Sequence, residues 1–263
     1  MSERRPITLI TGASAGIGVA LAWTFARQGH GLMLVARREQ NLLRLADEIA
    51  AQGHTQPLCL AADLSRSDAV GQIAEAMERH AVEPDHVVNN AGFGLLGLAG
   101  ALDRAEQVAM VDVNVRALTD LSLAFVDALE RRRGGILNVA SVAAFLPGPG
   151  MAVYYASKAY VLSFSEALHW ELRPRGIRVT ALCPGPVPTE FQARAGFRKD
   201  TGTDVLTQSA ERVADIGYRA LQRGERVAVP GIGNWITTSV ARLLPRRLLL
   251  SAVGRYNRGR GGF

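Results

Sequence analysis

Short apolar runs alternate with amphipathic stretches along most of this 263-residue sequence, and this alternation restricts its fold more than any other feature. The runs are rich in β-branched residues, as strands are, whereas the stretches between them have helical spacing. Repeated strand–helix units form a parallel sheet with helices on both faces. We therefore predict an α/β fold, a doubly wound parallel sheet in a single domain. The predicted strands cover residues 7–12, 32–37, 57–63, 86–92, 136–141, 177–185 and 226–231.

Residues that can bind or react stand at the ends of these predicted strands. In an open parallel sheet, ligands bind in the crevice beyond the carboxyl ends of the strands. The sequence therefore predicts one binding site along this edge of the sheet. The residues that fall at the strand ends are Gly12, Arg37, Asp63, Asn90, Ser141 and Pro184.

A glycine-rich segment, GASAGIG, joins the first predicted strand to a helix predicted over residues 17–28. Glycine in such a turn lets the backbone approach a pyrophosphate at the start of the helix. The glycines Gly12, Gly16 and Gly18 are spaced G-x-x-x-G-x-G rather than G-x-G-x-x-G. A glycine-rich turn alone is weak evidence, but its place between a strand and a helix favours a dinucleotide site.

The second and third predicted strands end in charged residues. Arginine at the end of the second strand suits the 2′-phosphate of NADP, whereas an acid there suits the ribose hydroxyl of NAD. Here the strand ends in Arg37 and Arg38, and the first acid is Glu39, so we predict a preference for NADP. Asp63, which ends the third strand, could accept a hydrogen bond from an adenine amino group or cap the next helix.

Tyr154 and Lys158 stand one helical turn apart in a predicted helix that ends near Leu172. The ammonium of Lys158 is expected to lower the pKa of the Tyr154 phenol, which could then exchange a proton with a carbonyl or alcohol oxygen. Ser141 ends the preceding strand, and the Pro/Gly segment 147–150 lets the chain turn back towards it. Its hydroxyl could hold and polarise the same oxygen.

Asn114 lies inside a long helix predicted over residues 104–132. An asparagine in an apolar helical run needs a partner for its amide or disturbs the helix. Two interpretations stay open for this side chain, a hydrogen bond in the core and a site for a proton-relay water.

Taken together, these motifs resemble those of the short-chain dehydrogenase/reductase family, over nearly the whole chain up to about Gly233. TGASAGIG is similar to the family's TGxxxGxG cofactor motif, and NNAG at 89–92 is similar to its NNAG motif. Pro184 and Gly185, with Thr189 following, resemble the segment that lies near the nicotinamide. The family's Y-x-x-x-K spacing selects Tyr154 over the adjacent Tyr155. The resemblance implies a catalytic tetrad of Asn114, Ser141, Tyr154 and Lys158.

The resemblance also implies a Rossmann-like fold, hydride transfer between NADP and a carbonyl or alcohol, and a role for each member of the tetrad. Tyr154 would be the general acid or base, and Ser141 would orient the substrate oxygen. Lys158 would hold the nicotinamide ribose, and Asn114 would position a water. The implied cofactor-binding residues are Gly12, Ser14, Gly16, Ile17, Gly18, Arg37, Arg38, Asp63, Leu64, Asn90, Ala91, Gly92, Tyr154, Lys158, Pro184, Gly185, Val187 and Thr189.

Apolar residues in the loops favour a hydrophobic small-molecule substrate, although the same residues could simply fill the core. A non-catalytic dinucleotide-binding protein, either a redox sensor or a partner subunit, is the alternative function, and the intact tetrad argues against it. We expect a homo-oligomer that binds neither nucleic acid nor metal. The candidate substrate-contacting residues are Phe93, Leu95, Leu96, Ala143, Phe145, Leu146, Met151, Phe191 and Phe197.

Residues 234–263 account for the whole net charge of +6. This segment contains six arginines and no acid, which leaves 24 basic and 24 acidic residues in the rest of the chain. Its apolar residues repeat on one helical face, which could pack on the protein or a second subunit, or lie on an anionic membrane. We therefore predict an oxidoreductase domain at 1–233 and a basic extension at 234–263. The extension looks like that of uncharacterised or lipid-related bacterial members of the family.

Two cysteines, Cys59 and Cys183, lie in predicted strands without metal-ligand spacing, as free thiols do in a reducing cytoplasm. The amino end leads directly into a strand without a signal peptide, and no run of about 18 uncharged apolar residues indicates a transmembrane helix. We therefore expect a cytoplasmic protein, whose contact with a membrane depends on the basic extension.

Overall fold

Seven parallel strands form one sheet at the centre of the computed structural model, which describes residues 4–197 and 206–261. The strands lie in the order β3-β2-β1-β4-β5-β6-β7, so the chain moves outward from β1, returns to its other side and moves outward again. This order confirms the predicted doubly wound sheet. The strands are β1 (Arg5–Thr11), β2 (Leu32–Ala36), β3 (Leu58–Ala61), β4 (Val82–Asn89), β5 (Gly135–Val139), β6 (Arg178–Leu182) and β7 (Val227–Ala228).

Helices connect the strands and cover both faces of the sheet. The helix that follows the first strand begins one residue before its predicted start. The helices are α1 (Gly16–Arg27), α2 (Glu39–Ala51), α3 (Ala69–Arg79), α4 (Arg104–Val111), α5 (Leu118–Ala124), α6 (Val126–Arg132), α7 (Ala152–Leu172), α8 (Glu190–Ala195), α9 (Ala210–Gln222), α10 (Ile232–Ala241) and α11 (Arg246–Gly261).

Neighbouring residues of the central strands enter two different cores. Ile10 and Val88 pack with residues of α1, α2 and α9 on one face of the sheet. Leu9 and Val87 pack with residues of α3, α5, α6 and α7 on the other face. Strands that are buried on both faces need apolar residues at every position. This burial explains why the sequence shows continuous apolar runs rather than alternation.

The helix predicted over residues 104–132 is not continuous, so that prediction was wrong in detail. It consists of α4, a π-helical segment at Asp112–Ala117, α5 and α6, with a break at Phe125. The π-helical segment holds Asn114, whose side chain is fully buried. Wider turns of this kind are rare and often occur at functional sites. Apolar spacing did not reveal the segment, because the apolar residues before it and after it all face the core, as they would in one continuous helix.

A partly buried cluster of one carboxyl group and two imidazoles lies near the amino-terminal edge of the sheet, away from the predicted site. Asp85 lies 3.0 Å from His86 Nδ1 and 3.6 Å from His30 Nδ1, and it accepts a hydrogen bond from Thr8 Oγ1. Burial would raise the pKa of Asp85, but hydrogen bonds from the two histidines and their nearby charges hold it below its ordinary value. Ligand atoms of His30, Asp85 and His86 lie within 4.8 Å of one another, so the expectation of no metal stays a prediction.

Candidate active site

The predicted strand ends meet along the wall of a cavity of about 890 Å³. Two of the predicted residues, Gly18 and Asn114, lie behind this wall rather than in it. The predicted residues that line the cavity are Gly12, Ser14, Gly16, Ile17, Arg37, Arg38, Asp63, Leu64, Asn90, Ala91, Gly92, Ser141, Tyr154, Lys158, Pro184, Gly185, Val187 and Thr189.

The glycine-rich turn lies against the end of β4 with no room for side chains. Gly12 has a φ of +66°, and a Cβ atom there would lie 2.8 Å from Ala91 Cα. A Cβ atom on Gly18 would overlap the carbonyl oxygen of Gly12. Asn90 Nδ2 donates to the carbonyl oxygens of Thr11 and Gly12, at 3.0 and 3.2 Å, and fixes the turn from the other side. Helix α1 then begins without a capping side chain or an acid in its first turn, so its amide groups suit an anion.

The two arginines after β2 lie at the same end of the cavity but have different surroundings. Arg38 pairs with Glu190 at 2.8 Å and donates through Nε to Ser14 Oγ at 3.3 Å. Arg37 makes no hydrogen bond or ion pair with other residues in the described ranges, and it is exposed. A guanidinium group and a hydroxyl beside the glycine-rich turn are donors that suit a phosphate group.

Asp63 closes a local turn rather than capping the next helix. Its Oδ1 accepts from Ser65 N at 3.0 Å and from Ser65 Oγ at 2.9 Å. The backbone hydrogen bond from Ser65 is the largest cause of its lowered pKa, and Arg37 and Arg66 lower that pKa further. Helix α3 starts later and has Asp68 at its N-cap position. Of the two interpretations of Asp63, helix capping was wrong, and recognition of adenine stays a prediction.

Tyr154 projects from α7 into the cavity and is surrounded by protein at its phenol. Although the residue as a whole is half-buried, burial of the phenol raises its pKa to about 12, and a hydrogen bond with Ser141 acts in the opposite direction. Ser141 Oγ itself accepts from Ala143 N at 3.1 Å. The expected lowering of this pKa by Lys158 is not found, because Lys158 is not among the groups that shift the pKa of Tyr154. The phenol is therefore a proton donor across the neutral range.

Lys158 is buried one turn after Tyr154. Its Nζ donates to the carbonyl oxygen of Val139 at 2.7 Å and lies 5.9 Å from the centroid of the Tyr154 ring. Burial lowers the pKa of Lys158 to about 8. The lysine therefore exchanges its charge close to neutral pH, whereas an exposed lysine would stay charged to about pH 10.

Asn114 joins the loop after β4 to α7. Its Nδ2 donates to Phe93 O and to Ser157 Oγ, each at 3.0 Å, and its Oδ1 accepts from Phe93 N at 3.1 Å. A Cβ atom on Gly92 would lie 2.9 Å from Asn114 Oδ1, so the loop packs tightly on this amide. Core hydrogen bonds thus use both amide protons, as one of the two interpretations expected. A role for Asn114 in a water relay stays a prediction.

Tyr155 lies on a different side of α7 from Tyr154. The two rings are 6.1 Å apart and inclined at 78°. The ring of Tyr155 packs against Gly148 and its hydroxyl bonds with Asn257 of α11, while burial raises its pKa. Of the two tyrosines, Tyr154 has Ser141 as a partner, and its selection as the catalytic residue stays a prediction.

The C-terminal helix α11 forms part of the cavity wall, which the sequence did not predict. Asn257 is buried and donates through Nδ2 to Pro149 O at 2.9 Å, so α11 is fastened to the loop before α7. An amphipathic pattern shows that a helix has an apolar face but does not show what that face covers. The additional cavity residues from this part of the chain are Asn234, Thr237, Ala252, Val253, Tyr256, Asn257 and Arg260.

Six of the nine predicted substrate-contacting residues line the cavity, namely Phe93, Ala143, Leu146, Met151, Phe191 and Phe197. Leu95, Leu96 and Phe145 do not, and Phe145 instead lies beneath the guanidinium of Arg242, 5.0 Å from its ring centroid. Arg260 stacks on Phe197 at 4.2 Å, and Arg194 stacks on Phe93 at 4.3 Å. The cavity wall therefore combines aromatic rings with the guanidinium groups of Arg194 and Arg260, which the predicted substrate-contacting residues did not indicate.

Comparisons with known proteins agree with this geometry. The family described as short chain dehydrogenase matches residues 6–199. An uncharacterized oxidoreductase of Myxococcus xanthus (strain DK1622) is 34% identical over 252 residues, which cover 94% of this chain and 96% of that protein.

Solved structures with the same fold contain different nicotinamide dinucleotides. A short-chain dehydrogenase from Sphingobium yanoikuyae in complex with NADPH is 32% identical, with a TM-score of 0.80, and the match covers 90% of this chain and 94% of that chain. A 3-ketoacyl-(acyl-carrier-protein) reductase from Brucella melitensis complexed with NADH is 28% identical, with a TM-score of 0.77, over 89% of this chain and 99% of that chain.

Proposed function

The chain belongs to the short-chain dehydrogenase/reductase family, and we propose that it is an NADP(H)-dependent oxidoreductase that interconverts a carbonyl and an alcohol. The observation that carries this proposal is the group formed by Tyr154, Ser141 and Lys158 in one cavity. It places a buried proton donor and a hydroxyl partner beside a buried lysine. A protein that only binds a dinucleotide has no need of this group.

The residues at the strand ends fit a dinucleotide. The crowded turn at Gly12 and the uncapped start of α1 suit a pyrophosphate, because only backbone amides face it. Arg37, with Arg38 and Ser14 beside it, suits the 2′-phosphate that distinguishes NADP from NAD. When bound, a nicotinamide dinucleotide supplies or accepts a hydride, which no side chain can do.

The chain's own residues would bind the substrate oxygen and transfer a proton to it. In the direction of carbonyl reduction, the phenol of Tyr154 donates its proton to the oxygen, and the Ser141 hydroxyl holds that oxygen in place. The positive charge of Lys158 stabilises the phenolate that remains until solvent returns a proton to it. Asn114 keeps the loop at Gly92 and Phe93 in position against α7.

We further propose a hydrophobic substrate. Aromatic and apolar side chains line the part of the cavity next to Tyr154, and the ring of Phe191 lies 5.3 Å from the Tyr154 ring. Arg260, stacked on Phe197, adds one cation at the α11 side. An apolar carbonyl compound with an acidic group at its far end would use both features.

A cytoplasmic homo-oligomer completes the proposal. Cys59 and Cys183 are free thiols, as a reducing compartment would keep them, and burial raises their pKa values to about 11 and about 12. Exposed apolar residues on α4, α5 and α7 are candidates for contact with a second copy, and light scattering on the eluting protein would give its mass. These residues are Val108, Val111, Leu123, Tyr160 and Trp170.

The test is NADPH oxidation with a panel of aldehydes and ketones of graded chain length, each with and without a terminal carboxylate. We expect turnover that rises with apolar length. Tight binding of NADPH without turnover of any member would instead favour the non-catalytic alternative. Tighter binding of NADH than of NADPH would contradict the cofactor preference and leave the reaction class intact.

A further inference from the structure

Helices α10 and α11 are joined at Pro245. The inner side of each helix covers the carboxyl edge of the sheet, and the outer side does not contact it. Asn234 is buried and donates through Nδ2 to Leu206 O at 3.0 Å, which links α10 to the segment before α9. Leu249 and Asn257, on the inner side of α11, are buried. These contacts hold both helices on the protein body, so their outer sides are a defined surface rather than a loose tail.

The outer side of α10 is apolar, whereas the outer side of α11 carries the exposed Arg247, Arg255 and Arg258. Side chains at positions 232, 236, 240, 243 and 244 follow one stripe along α10 and its end, and the exposed fraction reaches 80% at Ile232 and 86% at Leu243. Soluble proteins usually expose large apolar side chains singly, whereas here five follow one stripe and Leu248 and Leu250 are exposed on the next helix. We call this surface the outer face; its apolar members are Ile232, Trp235, Ile236, Val240, Leu243, Leu244, Leu248 and Leu250.

Arginines border the outer face, and no acid balances them. The segment 234–263 has no Asp or Glu, and none of its six arginines forms an ion pair with any residue of the described ranges. Arg242, Arg246 and Arg247 are exposed next to Leu243, Leu244 and Leu248. The face therefore requires a partner that accepts apolar side chains and carries negative charge.

We propose that α10 and α11 bind the protein to the surface of an anionic lipid bilayer, with the apolar side chains inserted and the arginines at the headgroups. A second copy of the chain is a poorer partner, because two outer faces in contact would bring two sets of exposed arginines together without an acid from either segment. None of the helices that the structure describes is both long and apolar enough to span a bilayer, so the contact is at the surface.

The bilayer would then adjoin the cavity. The inner side of α11 carries Val253, Tyr256 and Arg260 into the cavity wall, and the same helix exposes Leu248 on another side. An apolar substrate dissolved in the bilayer would have a short route to Tyr154, and this consequence rests on the proposed function. Binding to lipid does not depend on it.

The test is co-sedimentation of the full chain with vesicles of phosphatidylcholine alone and with vesicles that also contain phosphatidylglycerol. We expect binding to the anionic vesicles only, and release when salt is raised. The double variant Leu243→Ser/Arg247→Glu should bind at least about tenfold more weakly, since it loses an inserted side chain and reverses a charge. The matched control is Leu43→Ser/Arg44→Glu, an exposed neighbouring pair on α2, which should bind like the unmodified protein.

Three outcomes would overturn the proposal. The protein could ignore anionic vesicles at low salt, or the α2 control could lose as much binding as the α10–α11 variant. The variant could also convert an oligomer into monomers on light scattering while vesicles remain unbound, which would make the outer face an interface between copies. None of these readouts uses enzyme activity, so a failure here is distinct from a failure of the proposed reaction.

Discussion

At the residue scale, Tyr154 and Tyr155 show how neighbouring side chains of one type acquire different chemistry. Tyr154 has Ser141 as its partner inside the cavity, while Tyr155 has Asn257 of α11 and packs on Gly148. Helical geometry separates adjacent side chains by about 100°, so only one of the two can share a face with Lys158. The spacing in the sequence favours Tyr154 as the catalytic residue, which stays a prediction. It could not predict the pKa of Tyr154, because burial depends on loops that are distant in sequence.

We expect Tyr154→Phe to lower turnover by about 10² to 10⁴, because the proton donor is lost while the ring is kept. The affinity for NADPH, measured by fluorescence titration, should barely change. Tyr155→Phe is the matched control and should retain most activity, since it loses only a bond to Asn257. An inactive Tyr155→Phe beside an active Tyr154→Phe would show that the catalytic phenol was misassigned.

The pH dependence of carbonyl reduction should report Lys158 rather than Tyr154. As pH rises, Lys158 loses its charge near its pKa of about 8, whereas Tyr154 keeps its proton until about 12. We therefore expect kcat/KM to be highest below about 8 and to fall as pH rises through that value. Tyr155→Phe should show the same descending limb. A profile that stays flat far into the alkaline range would rule out a requirement for the lysine charge.

At the element scale, local patterns predicted the strands and most helices but not the interruptions. Helix α7 ends at Leu172, as predicted. The π-helical segment was missed, as were the hydrogen bonds of Asn114 to Phe93 and Ser157, because local spacing does not show contacts with residues distant in sequence. The docking of α11 on Pro149 was missed for the same reason, since amphipathic periodicity does not identify the partner of a face.

The end of β2 gives a prediction about cofactor choice. Arg37→Asp should weaken NADPH binding by about 2 kcal/mol or more, because a charge-assisted contact to the 2′-phosphate is replaced by a repulsion. NADH binding should stay the same or improve. Arg44→Asp, an exposed charge reversal on α2, is the control and should affect neither cofactor. Equal loss of both cofactors in Arg37→Asp would mean that the residue contacts a part that NADH and NADPH share.

At the scale of the whole molecule, the two edges of the sheet carry different kinds of polar group. The cavity lies at the carboxyl edge of the sheet. Asp85, His30 and His86 cluster near the amino edge, where His30 precedes β2 and the other two residues belong to β4. Asp85 is mostly buried, and the histidines hold its pKa below the ordinary value in spite of that burial. A carboxylate whose pKa is lowered by folding stabilises the folded state wherever it is ionised.

The contribution of Asp85 should therefore be present above its unfolded pKa, near 4, and lost as pH falls below that value. We expect Asp85→Asn to reduce the free energy of unfolding at neutral pH, and the difference from the unmodified protein to shrink on acidification. Urea titrations of both proteins at neutral and acidic pH measure this difference in the free energy of unfolding. Asp127→Asn removes an exposed partner of Arg175 and should have a small effect at both. If Asp85→Asn changed the free energy of unfolding equally at both pH values, the charge of the carboxylate would not contribute to stability.

The position of α11 also determines where the protein can be tagged or immobilised without disturbing the cavity. Because Asn257 and Arg260 line the cavity in the final turns of α11, a tag or resin joined to that end would pull on a cavity wall. Arg5 begins β1 at the far edge of the sheet from the strand ends. Attachment ahead of β1 would leave the cavity and the outer face turned towards solution, where ligands and vesicles can reach them.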